Sequence, residues 1–363
     1  MKKIFPTKKV AICAAVTVGA TVLVSVIAII VLSLDGSRKP TVTVPIATAS
    51  SSSSETLPFR DPLTGEPTAN ATSSRPVAVM IENHVDARPL SGVSKASLVF
   101  EVPVEGGITR LMAVFDSARE VKEIGPVRSA RAYYLDWADE LDAMYVHVGG
   151  SPEALDKLKS LGLRDLNQFF WDEDFWRSGS RAAPHNVYTS TALLRGAMET
   201  RKWADAPQVS SWLFASASST AVTSTSEIVV PFSTSSYTVR WRFDPLHGLY
   251  LRSVANAAAS DKDGSRVSAT NVGVAFVESA VVDEVGRLKL KTVGQGSAMM
   301  FRDGEVSLGT WEKASVGDRL RFYAADGSEF VWRPGATWIE IVPTGTEVTY
   351  TKDGASVAAD GNN

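Results

Sequence analysis

The stretch EIGPVRSAR places Arg128 and Arg131 three positions apart, where an extended segment is expected to give way to a helix. Ser129 stands at the expected helix cap and Arg131 in its first turn, where the partially positive helix end opposes a cation. That cost is offset only if an anion sits beside the arginines. The anion is either an internal carboxylate, Glu101 or Glu105, or a ligand phosphate or carboxylate, for which guanidinium forks and helix N-terminal amides are suited. Upstream, EVPVEGGITRLMAVF sets Glu101, Glu105 and Arg110 around Gly106-Gly107, between two apolar runs. The glycines permit a tight reversal that carries the carboxylates toward a strand-borne arginine. Structurally this is a charged hairpin rim. Chemically, Glu101 or Glu105 is a candidate acid–base group and Arg110 a candidate anion clamp.

Two further stretches hold candidate binding groups. HVGGSPEAL leads from a strand ending near His147 through Gly149-Gly150 into a helix capped by Ser151, a second candidate anion-binding helix start. WRSGSRAAPHNVYTS gathers Arg177, Arg181, His185 and Asn186 in one polar loop. The hydrolase pattern G-x-S-x-G is absent, since Glu153 holds its last position. His84, His147 and His185 are scattered, with no H-E-x-x-H, Walker loop or dinucleotide fingerprint, so neither a metal nor a cofactor is expected.

The elements that must position these groups are legible as a pattern of strands and helices. PVAVMIEN, ASLVFEVPVEGG, TRLMAVFD and AMYVHVGG read as buried strands. They alternate with helices capped by Ser129, by Ser151, and by Ser190 or Thr191, which predicts an α/β domain with a mixed sheet over residues 76–214. From Glu227 the runs EIVVPF, YTVRWRFD, NVGVAFVESAVV and TWIEIVP, with Asp-Gly turns among them, predict a mostly antiparallel β domain over residues 227–345. The Ser/Thr tract at 215–226 is expected to link the two domains, or to be a long surface loop within one. Residues 346–363 are expected to be a flexible tail.

Lys2, Lys3, Lys8 and Lys9 precede an uncharged run from Val10 to Leu34. As a helix it would span about 37 Å, enough to cross a bilayer. The lysines should stay in the cytoplasm, so residues 1–34 are expected to be an uncleaved single-pass anchor with the remainder extracytoplasmic. A Ser/Thr-rich linker over 35–75 follows. The one cysteine, Cys13, lies inside the apolar run without a lipoprotein signal around it, so packing rather than disulfides must stabilise the outer domains. The 363 residues are 44% hydrophobic and 21% charged, with a net charge of −3, which leaves no overall basic field to draw nucleic acid.

RPVAVMIENHVDARPLSGVSKASLVFEVPVEGGITRLMAVF, IGPVRSARAYYLDWADELDAMYVHVGGSPEAL and APHNVY resemble the YerB-like family of bacterial envelope proteins, a domain of unknown function. FRDGEVSLGTWEK and GATWIEIVP resemble its C-terminal module. The resemblance runs from Pro76 to Pro343 and implies a cell-envelope location, members being commonly described as lipoproteins. In layout, TRLMAVFDSAREVKEIGPVRSAR followed by YVHVGGSPEAL is also similar to the LytR-CpsA-Psr phosphotransferases. That resemblance implies arginines on a polyprenyl pyrophosphate, with Arg110, Arg128 and Arg131 in their places, although Leu111-Met112 replaces the Asp-Thr of that family.

Three functions follow as expectations. The first is a membrane-tethered module binding an anionic glycan or lipid pyrophosphate through the arginines. The second is an envelope phosphotransferase or hydrolase using Glu101 or Glu105. The third is a partner scaffold presenting Trp171, Phe175 and Trp176 as an aromatic patch, although core is the expected place for these three.

Overall fold

Runs of β-branched and aromatic residues form strands throughout the computed structural model, which describes residues 57–71, 74–216 and 225–362. With 43% of residues in strands and 14% in helices, the chain is mostly β. The anchor run, Cys13 and most of both Ser/Thr tracts lie outside the described residues. Among those described, no helix is long and apolar enough to cross a membrane.

The first half supplies β1 (Pro76–Glu82), β2 (Leu98–Pro103), β3 (Thr109–Asp116), helix α1 (Tyr134–Asp139), β4 (Met144–His147), α2 (Pro152–Leu161), β5 (Arg164–Asn167) and α3 (Thr191–Thr200). The second half supplies β6 (Thr225–Pro231), β7 (Thr238–Asp244), β8 (Leu249–Val254), β9 (Ala257–Ala258), β10 (Ser268–Ala269) and β11 (Asn271–Val277). It continues with β12 (Gly294–Arg302), β13 (Glu305–Lys313), β14 (Arg321–Ala324), β15 (Thr337–Pro343), β16 (Val348–Lys352) and β17 (Ala355–Ala359).

One ten-stranded mixed sheet, ordered β14-β13-β12-β11-β15-β2-β3-β1-β4-β5, runs through both halves. The seam is β15, parallel to β11 on one side and to β2 on the other. Where two successive domains are expected, one sheet is shared. The reason is visible in TWIEIVP, buried at every position but the last, because a strand covered on both faces belongs in the middle of a sheet. A second sheet, β9-β8-β7-β6-β16-β17 with β10 against β8, packs on one face of the first. Val79, Ile81, Leu111, Val274 and Trp338 meet Ile228, Val239, Trp241 and Tyr350 there, beside α3. On the opposite face Met80, Phe100, Met112, Tyr145 and Ile339 pack with Tyr134, Trp137 and Leu158 of α1 and α2.

The tail expectation for 346–363 is corrected. Val348 and Tyr350 alternate inward on β16, which pairs with β6, and Asp353-Gly354, at φ 50° and 80°, turns the chain into β17. Alternation of this kind is what a half-buried strand requires, and positive φ at both turn residues suits a tight hairpin.

Two helix caps follow the sequence. Ser151 accepts from the Ala154 amide and Ser190 from the Leu193 amide. The third does not, for α1 begins at Tyr134 rather than after Ser129. Residues 127–130 are instead held as extended chain, with the Val127 amide donating to Val187, Arg128 to Met80 and Ala130 to Gly149. These bonds outweigh the local capping preference and lay the segment along the ends of β1 and β4.

Candidate functional site

β1, β2, β4 and β5 all point the same way, and β3 runs against them. Their carboxyl ends therefore share one edge with the start of β3, the place where open α/β sheets bind ligands. Glu82 ends β1 directly opposite Arg110. Glu105 lies in the turn between β2 and β3, where Gly106 and Gly107 take φ of 73° and 70° that other residues resist. The pinned segment 127–130 then brings Arg128 and Arg131 to the same edge.

The arginines are answered from within. Arg128 pairs with Glu82, and Arg131 pairs with Glu105, its Nε donating to Oε2 at 3.0 Å. Arg110, 4% exposed, donates to the Ser129 carbonyl at 2.8 Å, while its Nε has no hydrogen-bond partner among the described residues. Burial and the neighbouring Arg131 both lower the Arg110 pKa. Three guanidiniums thus meet two carboxylates. The His185 ring, stacked on His84 at 5.1 Å, sets Nδ1 3.5 Å from Glu82, and Arg181 donates to the carbonyls of Ala87 and Pro89.

Other expected site residues fall elsewhere. Glu101 is fully buried and accepts two bonds from Arg252 of β8, at 3.0 and 2.8 Å, with others from Asn83 and Thr109. His147 is buried between the Gly149 carbonyl and Asp165, each at 2.6 Å. Ser151 is a helix cap, and Asn186 accepts from Arg177. Of the aromatic trio, Phe175 is buried, Trp176 is half-buried and Trp171 is exposed with Arg201 at 4.0 Å over its ring, while the neighbouring Phe169 and Phe170 are exposed further still.

His84, Asp86 and His185 come within 4.8 Å of one another through their ligand atoms. Zinc ligands at tetrahedral bond lengths would lie roughly 3.4 Å apart. The two rings are inclined by only 13°, so their in-plane lone pairs do not converge on one point without rotation.

Sequence reasoning missed Glu82 and Arg252. Glu82 carries a readable signal, a charge closing an otherwise apolar strand, as Arg110 stands at the start of β3. The alternation in LYLRSV turns Arg252 inward, but nothing local names Glu101 as its partner.

Glu105 makes the edge sensitive to acid. Burial pushes its carboxyl up, but the Arg131 hydrogen bond, a backbone N–H and Arg110 overcome this and hold it at about 2. A depressed folded pKa contributes stability that is complete above the unfolded value near 4.5 and is lost as pH falls toward 2. Glu105→Gln should therefore cost about 2–3 kcal/mol at pH 6 and almost nothing near pH 2. Urea melts of both proteins across that range check this, and a difference independent of pH would contradict it.

The chain matches the N-terminal domain described as "Protein of unknown function (DUF3048)" over residues 63–204, and the C-terminal domain of the same description over 228–339. It is 33% identical to the Bacillus subtilis (strain 168) protein named "Putative lipoprotein YerB" over 290 residues, covering 78% of this chain and 86% of that one. The crystal structure of YerB from Bacillus subtilis is similar, with a TM-score of 0.71 and 31% identity, over 83% of this chain and 99% of that one.

Proposed function

Because the chain belongs to the DUF3048 family of proteins of unknown function and is similar to the protein named "Putative lipoprotein YerB", we propose that it works at the outer face of the cell membrane. There it binds an anionic envelope component, a glycan phosphate or a lipid pyrophosphate, through Arg110, Arg128 and Arg131. The observation that carries this reading is the excess of three arginines over two carboxylates at the carboxyl edge of the strands, with the Arg110 Nε left without a partner among the described residues. Lysines ahead of the apolar run at Val10–Leu34 support the membrane tether. Binding is preferred to catalysis because Glu101, the first acid–base candidate, is sealed behind Arg252 and faces no solvent.

Calorimetric titration of the full chain with inorganic pyrophosphate, as the headgroup probe, tests the reading. Saturable binding is expected, weakening steeply as ionic strength rises, since partly exposed charges are screened by salt. Absence of binding at low salt would contradict it.

A further inference from the structure

A cavity of about 320 Å³ opens between the two sheets. At roughly 30 Å³ per molecule it would hold about ten waters, and its size falls at the lower end of small-molecule sites. Leu90, Leu111, Val254, Val267 and Trp338 form its walls, so water inside would find few hydrogen-bond partners. Its mouth is formed by the β8–β9 hairpin, whose turn residues Ala255 and Asn256 have φ of 51° and 60°. Ala255, Ala257 and Ala258 are exposed there, and side chains this small leave the entrance clear.

The inner end is polar and cationic. Arg88 is fully engaged, donating to the side chain and carbonyl of Asn83 and to the Ser236 carbonyl. Arg252 is not. It is 3% exposed, lies 4.9 Å over the Trp338 ring and gives one nitrogen to Glu101, but its Nε has no partner among the described residues. Arg266 lies close behind, donating to the Arg252 carbonyl. Glu101 pairs with Arg252 and Glu340 lies near it, and burial together with Glu101 pushes the Glu340 carboxyl well above the ordinary carboxylate range, favouring its neutral form. Among the described residues, the Arg252 Nε is the guanidinium donor that this end leaves open. The buried Asp261 carboxylate, also in the lining, is taken up by the amides of Val93 and Ser94.

We infer that this cavity binds a small amphiphile bearing a carboxylate, with the apolar body against Leu111 and Trp338 and the head at Arg252. A guanidinium fork matches a carboxylate in shape and charge, and the apolar walls favour a hydrocarbon body over water. The site is independent of the arginine edge, so each reading can fail without the other.

Titration of the full chain with octanoate, octylamine and octan-1-ol tests the inference. Octanoate should bind saturably at one site, with the amine and the alcohol at least about tenfold weaker, since both lose the charge-assisted bond. Ala258→Trp, a change on an exposed edge strand, should block the mouth and weaken octanoate at least tenfold while leaving the melting midpoint unchanged. Equal binding of the three probes, no saturable octanoate binding, or full affinity in Ala258→Trp would each overturn the inference.

Discussion

Replacing Glu140 with alanine is expected to destabilise the protein by about 3–5 kcal/mol, the loss that follows when a buried ion pair is broken on one side. Glu140 follows α1 directly and has no exposed side-chain surface. Its carboxylate holds Lys313 at 2.7 Å, pairs with Arg319 and accepts the Leu320 amide at 2.9 Å, while Lys313 and Arg319 are themselves 0% and 1% exposed. Burial lowers the Arg319 pKa, and its Nε and one terminal nitrogen already lack hydrogen-bond partners among the described residues, although the guanidinium rests on Trp212 at 4.1 Å. Removing the carboxylate would strand two cations away from water. Glu140→Gln, which keeps an acceptor for Leu320, should lose less than the alanine variant. Urea unfolding measures both, and a loss under about 1 kcal/mol for Glu140→Ala would contradict the account.

Cutting the chain at the Ser/Thr tract should abolish folding altogether. A linker between two domains would leave residues 57–214 and 225–362 each able to fold, whereas the shared sheet predicts that neither does so alone. Separation uncovers the β2 edge that β15 occupies and the sheet face that Trp241 and Ile228 cover. It also leaves Glu101 without Arg252 and Glu140 without Lys313 and Arg319. Mixing the two pieces should restore a cooperative urea transition absent from either one. A cooperative transition in either isolated piece would show that the sheet is divisible.

What could be read in advance was what neighbouring residues decide. PVAVMIEN and TRLMAVFD became strands, and Ser151 and Ser190 became caps, because periodicity and capping act within a few residues. Ser129 failed as a cap because bonds to distant strands held its segment extended. The β15–β2 pairing joins segments on either side of the Ser/Thr tract, and no local pattern specifies such a partner. The β16–β17 hairpin, expected to be a flexible tail, had by contrast a local signal that was passed over. VTYTKDGASV alternates on both sides of an Asp-Gly turn, the same signal that marked hairpins earlier in the chain. At the arginine edge, Glu105 was recognised as a partner but Glu82 was not. A carboxylate at a strand end is told from a solvated one only by what the fold sets beside it.

Arg128 offers the most direct test of anion binding, since its side chain is 28% exposed, the most of the three arginines at the edge. Glu82 is buried, but it keeps Arg110 opposite and His185 nearby when the half-exposed Arg128 is removed, so the loss of stability should fall between the about 1 kcal/mol of an exposed pair and the about 3–5 kcal/mol of a buried one. Calorimetric binding of pyrophosphate to Arg128→Gln, with urea unfolding of the same samples, separates the two roles. The account predicts affinity at least about tenfold weaker in a protein that still unfolds cooperatively. Unchanged affinity with a large loss of stability would contradict it and leave the arginines as internal partners of Glu82 and Glu105.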